Sequence, residues 1–333
     1  MYFENSQVEQ VVGGMHTPRR TSKISIVGAG AVGSTMAYAA LMRGTARTVA
    51  LYDINKAKVE AEVLDLAHGI QFMPMAEIIG SDEIEVCRDS DIVIITAGAK
   101  QKRGQTRLDL AGATIDLMKK ILPPLLEVAP NAVYLMVTNP VDVVTYAALK
   151  ISGLPPERIF GSGTVLDSSR LRYVLARQCG VAVQNVHAYM AGEHGDSEIP
   201  LWSSATIGGV PLLDWPGIDG RGPLTAVQRH EIAQEVITSA YRIIEGKGAT
   251  NYAVGLAGTR IIEAILNDEH RVLPVSRLVT DYYGISDVCL SIPAMVGRSG
   301  CTETLSVPLS ASEATGLRRS ADKVTKIVRE FGF

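Results

Sequence analysis

The chain reads as an α/β protein, a doubly wound parallel sheet followed by a second lobe of mixed α+β character. Three observations predict this. Short apolar runs alternate with stretches of helical periodicity through the first half of the 333 residues, the pattern of strands joined by crossover helices. Those runs are apolar throughout rather than alternating, as strands covered on both faces must be. A glycine-rich turn, Gly28-Ala29-Gly30-Ala31-Val32-Gly33, joins the first strand to the first helix.

The elements follow in order. A strand is predicted over residues 23–27, running into the glycine turn and then a helix to about residue 43. A second strand covers 48–53, and the helix after it runs through residue 65. The runs at 91–96 and 132–137 are further buried strands, with a long helix between them. Past residue 163 the texture changes. A helix over 165–178 leads into short mixed strands, and a Gly- and Pro-rich loop spans 208–223. Two long helices are predicted at 225–245 and 252–266, strands at 271–279 and 288–295, and an amphipathic helix at the end. The expected division is a tail at 1–22, a nucleotide-binding lobe at 23–163 and a second lobe at 164–333.

Composition narrows the function. Hydrophobic residues at 47% and charged residues at 20% are those of a soluble globular protein. A net charge of −3 gives no general attraction to nucleic acid or anionic membrane. No apolar run reaches the roughly 18–20 residues that span a bilayer, so a cytoplasmic protein without membrane or nucleic-acid partners is expected. Residues 1–21 lack the apolar stretch of a secretory signal and read as a tail or as an arm on a neighbouring subunit. Cys87, Cys179, Cys289 and Cys301 are scattered without metal-ligand spacing, which predicts reduced thiols and no metal.

The glycine turn follows a strand, opens a helix and is answered by Asp53, 20 residues past Gly33. This is the Rossmann-type dinucleotide fingerprint. Gly28 makes the tight turn, Gly30 lets the backbone approach the pyrophosphate, and Gly33 packs helix on strand while the helix N-terminus faces the phosphates. Asp53 is placed to accept from the ribose hydroxyls and to repel a 2′-phosphate, which favours NAD.

A second signal is Gly192-Glu193-His194-Gly195-Asp196, one imidazole between two glycines and two carboxylates. Histidine accepts and returns a proton near neutral pH, as general acid–base chemistry requires. His16, His68, His230 and His270 lack such a setting and read as ordinary surface or structural residues. Three further stretches, residues 98–107, 137–142 and 161–170, join the fingerprint and the His194 turn in one order. Together they resemble the L-lactate/malate dehydrogenase family, most closely the bacterial-type L-lactate enzymes, over residues 23 to about 330.

The resemblance implies a set of roles. His194 is the general acid/base, and Asp167 fixes its tautomer. Arg170 grips the substrate carboxylate through paired hydrogen bonds, while Arg107, on a closing loop, polarises the reacting carbonyl. Asn139 bonds the substrate oxygen, with Asn139-Pro140 as the family's cis peptide. Gln101 and Thr250 set substrate choice. Cofactor contacts extend from Gly28, Gly30, Val32, Gly33 and Asp53 to Lys58, Gly98, Ala99, Val137, Asn139 and Ser162. Arg172 and His187 match positions that bind fructose 1,6-bisphosphate in allosteric members, which implies activation and a homotetramer, since the pocket needs two subunits.

The substrate follows from charge counting. Pyruvate has one carboxylate, matched by Arg170; the second carboxylate of oxaloacetate would be buried beside neutral Gln101 without a partner, which is costly. Lactate/pyruvate is therefore expected. The loop departs from the family in carrying Lys100, Lys102 and Arg103, the last often a proline, and that charge keeps malate dehydrogenase open as an alternative. A catalytically silent NAD-binding protein is a further alternative, opposed by the intact Arg107, Asp167, Arg170 and His194. NAD- and metal-dependent glycosidases of similar fold would need a metal site, for which there is no Cys/His cluster.

Overall fold

The computed structural model of the chain describes residues 22–99, 107–217 and 222–333, without the side chain of Arg107. β1 (Lys23–Val27) enters the glycine turn and α1 (Ala31–Arg43), and β2 (Thr48–Tyr52) is followed by α2 (Lys56–His68). β3 (Glu77–Ser81), β4 (Ile92–Ile95), α3 (Arg107–Val128), β5 (Val133–Met136), α4 (Val141–Ser152) and β6 (Ile159–Gly161) complete the first half. These six strands pair in parallel in the order β6-β5-β4-β1-β2-β3.

The sheet is covered on both faces, and the strands show why. Ile24 and Ile26 of β1 pack on one side with Met36 and Ala37 of α1, Val59 of α2 and residues past position 250. Val27, Val93 and Ile95 face the other way, against Met118 and Leu122 of α3 and Val144 of α4. Tyr134 is the largest fully buried side chain there. Its hydroxyl donates to the carbonyl oxygen of Leu125 at 3.0 Å or Ala129 at 3.1 Å, so its burial leaves no polar atom unpaired.

The second half begins with α5 (Val165–Cys179) and five two-residue strands: β7 (Val186–His187), β8 (Met190–Ala191), β9 (Ile199–Pro200), β10 (Thr206–Ile207) and β11 (Val210–Pro211). α6 (Ala226–Lys247) and α7 (Tyr252–Leu266) follow, then β12 (Arg271–Val279), β13 (Val288–Gly297), β14 (Gly300–Thr304) and α8 (Ala311–Glu330). α6 and α8 each start in a reciprocal capping box, Thr225 with Gln228 and Ser310 with Glu313, which satisfies donors that open helices leave orphaned.

One feature was not expected from a two-lobe reading. β12, β13 and β14 continue the main sheet antiparallel beyond β6, making nine strands in the order β14-β13-β12-β6-β5-β4-β1-β2-β3. The join to β6 rests on the Ser276–Gly161 pair, at a place where the chain has little room. A Cβ on Gly161 would lie 2.6 Å from Thr145 Oγ1, and one on Gly163 would lie 2.5 Å from the Ser276 nitrogen. Late strands and early sheet therefore share a seam, and the functional residues gather along it. Among the described residues no helix is long and apolar enough to cross a membrane, and all four cysteines are free thiols.

Candidate active site

The cofactor end is built from backbone. Gly28 has φ of +105°, a conformation open to glycine at little cost, and its N–H donates to the Tyr52 carbonyl at 2.7 Å. A Cβ on Gly33 would sit 1.9 Å from the Gly28 oxygen, so α1 rests directly on the turn. Gly30 is different: a Cβ there would meet only Lys58 Nζ, at 4.0 Å. Gly30 also caps α1 with no side-chain hydrogen bond and no acid in the first turn. The open helix end and the space above Gly30 are what an anion at a helix N-terminus needs.

Asp53, just past the end of β2, is held in place from two sides. Oδ2 accepts from the Ala29 N–H at 2.8 Å, and Oδ1 accepts from the Asn55 N–H at 3.0 Å. Lys58 Nζ is 3.9 Å from Oδ2. Val32 is partly buried against the core behind the turn. Gly98 and Ala99 follow β4, and a Cβ on Gly98 would come within 2.0 Å of Thr138 Oγ1. These residues fit a dinucleotide laid across the carboxyl ends of β1, β2 and β4, the place where open α/β sheets bind ligands.

At the far end of that line lies a hollow of about 130 Å³, which brings Val137, Asn139, Ser162, Arg170, His194 and Thr250 together. It adjoins a second hollow of about 210 Å³ whose lining shares Asn139, Arg170 and His194 and adds Asp167, with Ile237, Ala240 and Ile244 of α6 as an apolar wall. Asn139-Pro140 is cis, and Asn139 Oδ1 accepts from the Val141 N–H at 3.3 Å. Gln101 and the side chain of Arg107 lie outside the described residues.

His194 is fixed by carboxylates on more than one side. Its Nδ1 lies 2.6 Å from Asp167 Oδ2, and its backbone N–H donates to Asp142 Oδ2 at 2.7 Å. The i, i+3 spacing on α5 puts Asp167 and Arg170 on one face, where Arg170 donates from NH1 to Asp167 Oδ1 at 2.7 Å. Asp167 is buried, and Arg170 keeps only 13% of its side chain exposed. Thus one carboxylate binds both the imidazole and the arginine. Asp142 is also buried and accepts from Ser291 Oγ at 3.2 Å.

These contacts set the charges. Burial alone would make the imidazolium unfavourable, yet the charge of Asp167 and its hydrogen bond to the ring outweigh it and raise His194 to about 9. Asp167 shows the converse balance: burial opposes its charge, but His194 and Arg170 hold its carboxyl below the usual carboxylate value. Burial pushes Asp142 up to about 6, although hydrogen bonds including the His194 N–H pull against it. The arrangement presents a charged imidazole with its second nitrogen free of the dyad, which suits delivery of a proton to a ligand oxygen.

Three acids around His194 carry no role in the sequence reading. Asp142 holds the backbone of the His194 turn. Glu193 pairs with Lys323 of α8 at 2.7 Å and accepts from Ser197 Oγ. Glu198, 4% exposed, faces the His194 ring. Asp167, His194 and Glu198 bring three possible ligand atoms within 4.8 Å of one another, but Arg170 already supplies positive charge to Asp167.

Arg172 and His187 also come together. They line a groove of about 710 Å³ with Arg43, Arg260 and Arg271. Arg172 donates from Nε to the Ala188 carbonyl at 2.9 Å and packs over the Tyr189 ring at 5.1 Å.

Comparison with known proteins places both halves of the chain in one family. Residues 22–161 match the lactate/malate dehydrogenase NAD binding domain, and residues 164–331 match the lactate/malate dehydrogenase alpha/beta C-terminal domain. An L-lactate dehydrogenase of Bifidobacterium animalis subsp. lactis is 59% identical over 96% of this chain and 100% of its own length. One from Thermoanaerobacter sp. (strain X514) is 47% identical over 93% of this chain and 99% of its own. Among solved structures, the minor L-lactate dehydrogenase of Enterococcus mundtii superposes with a TM-score of 0.89 at 36% identity, covering 93% of this chain and 98% of that one. A lactate dehydrogenase from a Medee basin deep-sea metagenome library gives 0.90 at 38%, covering 94% and 100%. With both halves matched in order around a glycine-built cofactor groove, the chain belongs to the lactate/malate dehydrogenase family and carries its NAD-binding domain.

Proposed function

We propose that this protein is an L-lactate dehydrogenase that interconverts pyruvate and (S)-lactate. The observation that carries the reading is the His194–Asp167–Arg170 cluster at the mouth of the hollow where the cofactor groove ends. The 59% identical relative that bears this name supports it. NADH, when bound, supplies the hydride that reaches the keto carbon.

The chain's own residues do the rest. His194, protonated, gives its Nε2 proton to the keto oxygen while Nδ1–H stays on Asp167, and the reverse reaction returns the proton to Nε2. Arg170 turns a guanidinium edge to the substrate carboxylate, and two parallel hydrogen bonds fix which face of the carbon is presented. Arg107 polarises the keto oxygen, and Asn139 donates to it. Thr250 and Gln101 close the pocket around a methyl group. The Ile237 and Ile244 wall of α6 limits water, which strengthens each charge interaction inside.

The chain works, in this reading, as a nucleotide-binding part at 23–163 and a substrate part at 164–333, in a cytoplasmic homotetramer. The cationic groove with Arg172 and His187 is its site for fructose 1,6-bisphosphate, shared with a symmetry mate. The experiment is NADH oxidation with pyruvate and with oxaloacetate, each with and without the bisphosphate. Pyruvate well ahead supports the reading, and a gain with the bisphosphate supports the groove. Oxaloacetate ahead overturns it in favour of malate, with the basic loop supplying the second counter-charge.

A further inference from the structure

Glu198 stands where a second carboxylate is least expected. Its Oε2 is buried without a hydrogen-bond partner and lies 4.0 Å from His194 Nδ1. The carboxylate oxygens of Asp167 and Glu198 and the His194 ring nitrogen all lie within 4.8 Å of one another. Two ionised carboxylates at that separation away from water repel strongly, so one keeps its proton. Asp167 is the one kept charged, because both Arg170 and His194 bind it. Arg170, the cation on the same face, is committed to Asp167 through NH1. Of the other acids, Glu193 pairs with Lys323 and Asp142 faces the backbone side of His194. Burial accordingly pushes the Glu198 carboxyl well above its usual range, and the charge on Asp167 adds to that.

We propose that Glu198 is a positioning residue for the proton transfer: it stands as a neutral carboxylic acid that donates its hydrogen to Asp167, and so restrains the proton affinity that Asp167 confers on His194. The inference rests on the reading of His194 as proton donor. It also answers a need of the catalytic cycle. When Arg170 turns to a substrate carboxylate, Asp167 loses one of three donors and keeps His194. The Glu198 hydroxyl remains to satisfy it, and Asp167 does not become a stronger base as substrate enters.

The test compares two variants of the full chain through the pH dependence of kcat/KM for pyruvate. Glu198→Leu removes the donor, so Asp167 binds the imidazolium more strongly and the alkaline limb moves up by about one pH unit. Glu198→Gln keeps a neutral donor of the same shape and leaves the limb near its wild-type position. Were Glu198 ionised, Glu198→Gln would delete a negative charge beside the ring and move the limb down by about one unit, which overturns the proposal. An unmoved limb in Glu198→Leu overturns it as well, since the residue would then only fill space. If Glu198→Leu does not fold, the direction in Glu198→Gln decides. Titration of ¹⁵N-histidine-labelled protein by NMR, with His194 assigned by its substitution, reads the same shifts without turnover. Failure of the pyruvate assignment therefore leaves this inference testable.

Discussion

Around Gly28, Gly30 and Gly33 the chain offers a ligand its backbone; around His194 it offers charge. The first region is a matter of tenths of an ångström, with the missing Cβ of Gly33 leaving room for the Gly28 oxygen. The second depends on which of Asp142, Asp167, Glu198 and His194 hold protons. The difference teaches how each half fails: the cofactor end by collision, the proton-transfer end by a change of pH.

The sharpest way to separate the two is His194→Asn. It should lower kcat for pyruvate by about 10²–10⁴-fold, the usual worth of a positioned acid. Binding of NADH, followed by its fluorescence, should change little. Loss of NADH binding in this variant would erase the distinction between the regions.

Two alanines test the cofactor end against itself. Gly33→Ala forces a Cβ into a backbone oxygen at 1.9 Å, and should cost about 1–3 kcal/mol of stability or more, as overpacking does. Gly30→Ala has open space to its nearest neighbour at 4.0 Å. It should leave Tm of the free protein unchanged and weaken NADH by about tenfold, ~1.4 kcal/mol. Equal loss of stability in both would contradict the reading of these turns.

The smallest effect belongs to Asp142. Burial raises its folded value from 3.8 to about 6. The folded state thus holds the proton more tightly than the unfolded chain, and stability from this group is lost as pH rises across that window. Asp142→Asn keeps an oxygen for the His194 N–H without the buried charge. Its Tm should exceed wild type by about 2–4 °C at neutral pH and converge with it in acid. A lower Tm at neutral pH would mean the charge itself holds the turn.

The two regions also differed in how legible they were. The fingerprint could be read because glycine spacing dictates backbone shape locally, and Asp53 lay where that shape requires it. The buried strands were legible as apolar runs, and 252–266 and 271–279 match α7 and β12 end to end. β3 and β6 leave little trace in the sequence: Glu77–Ser81 carries a charge and a glycine, and Ile159–Gly161 is only three residues. The antiparallel extension of the sheet was invisible because the Ser276–Gly161 pair joins residues far apart in sequence. At the substrate end, Asp167 and Arg170 came from the family resemblance, and helical spacing placed them on one face. Glu198 and Asp142 did not, because in sequence each is one more acid near a loop. Only long-range packing buries them. A charged residue running straight into an apolar stretch, Glu198 before Ile199-Pro200-Leu201-Trp202, was the available hint.

The central claim is that His194, held charged by Asp167, delivers the proton. The most direct measurement is kcat/KM for pyruvate reduction from neutral into alkaline pH. His194 lies at about 9, above its ordinary 6.5, and the reactive form is the protonated one. The profile should therefore be flat at neutral pH and fall by about tenfold per unit beyond about 9, with the limb absent from the residual activity of His194→Asn. A limb that persists in that variant, or a wild-type profile that rises with pH, would contradict the account.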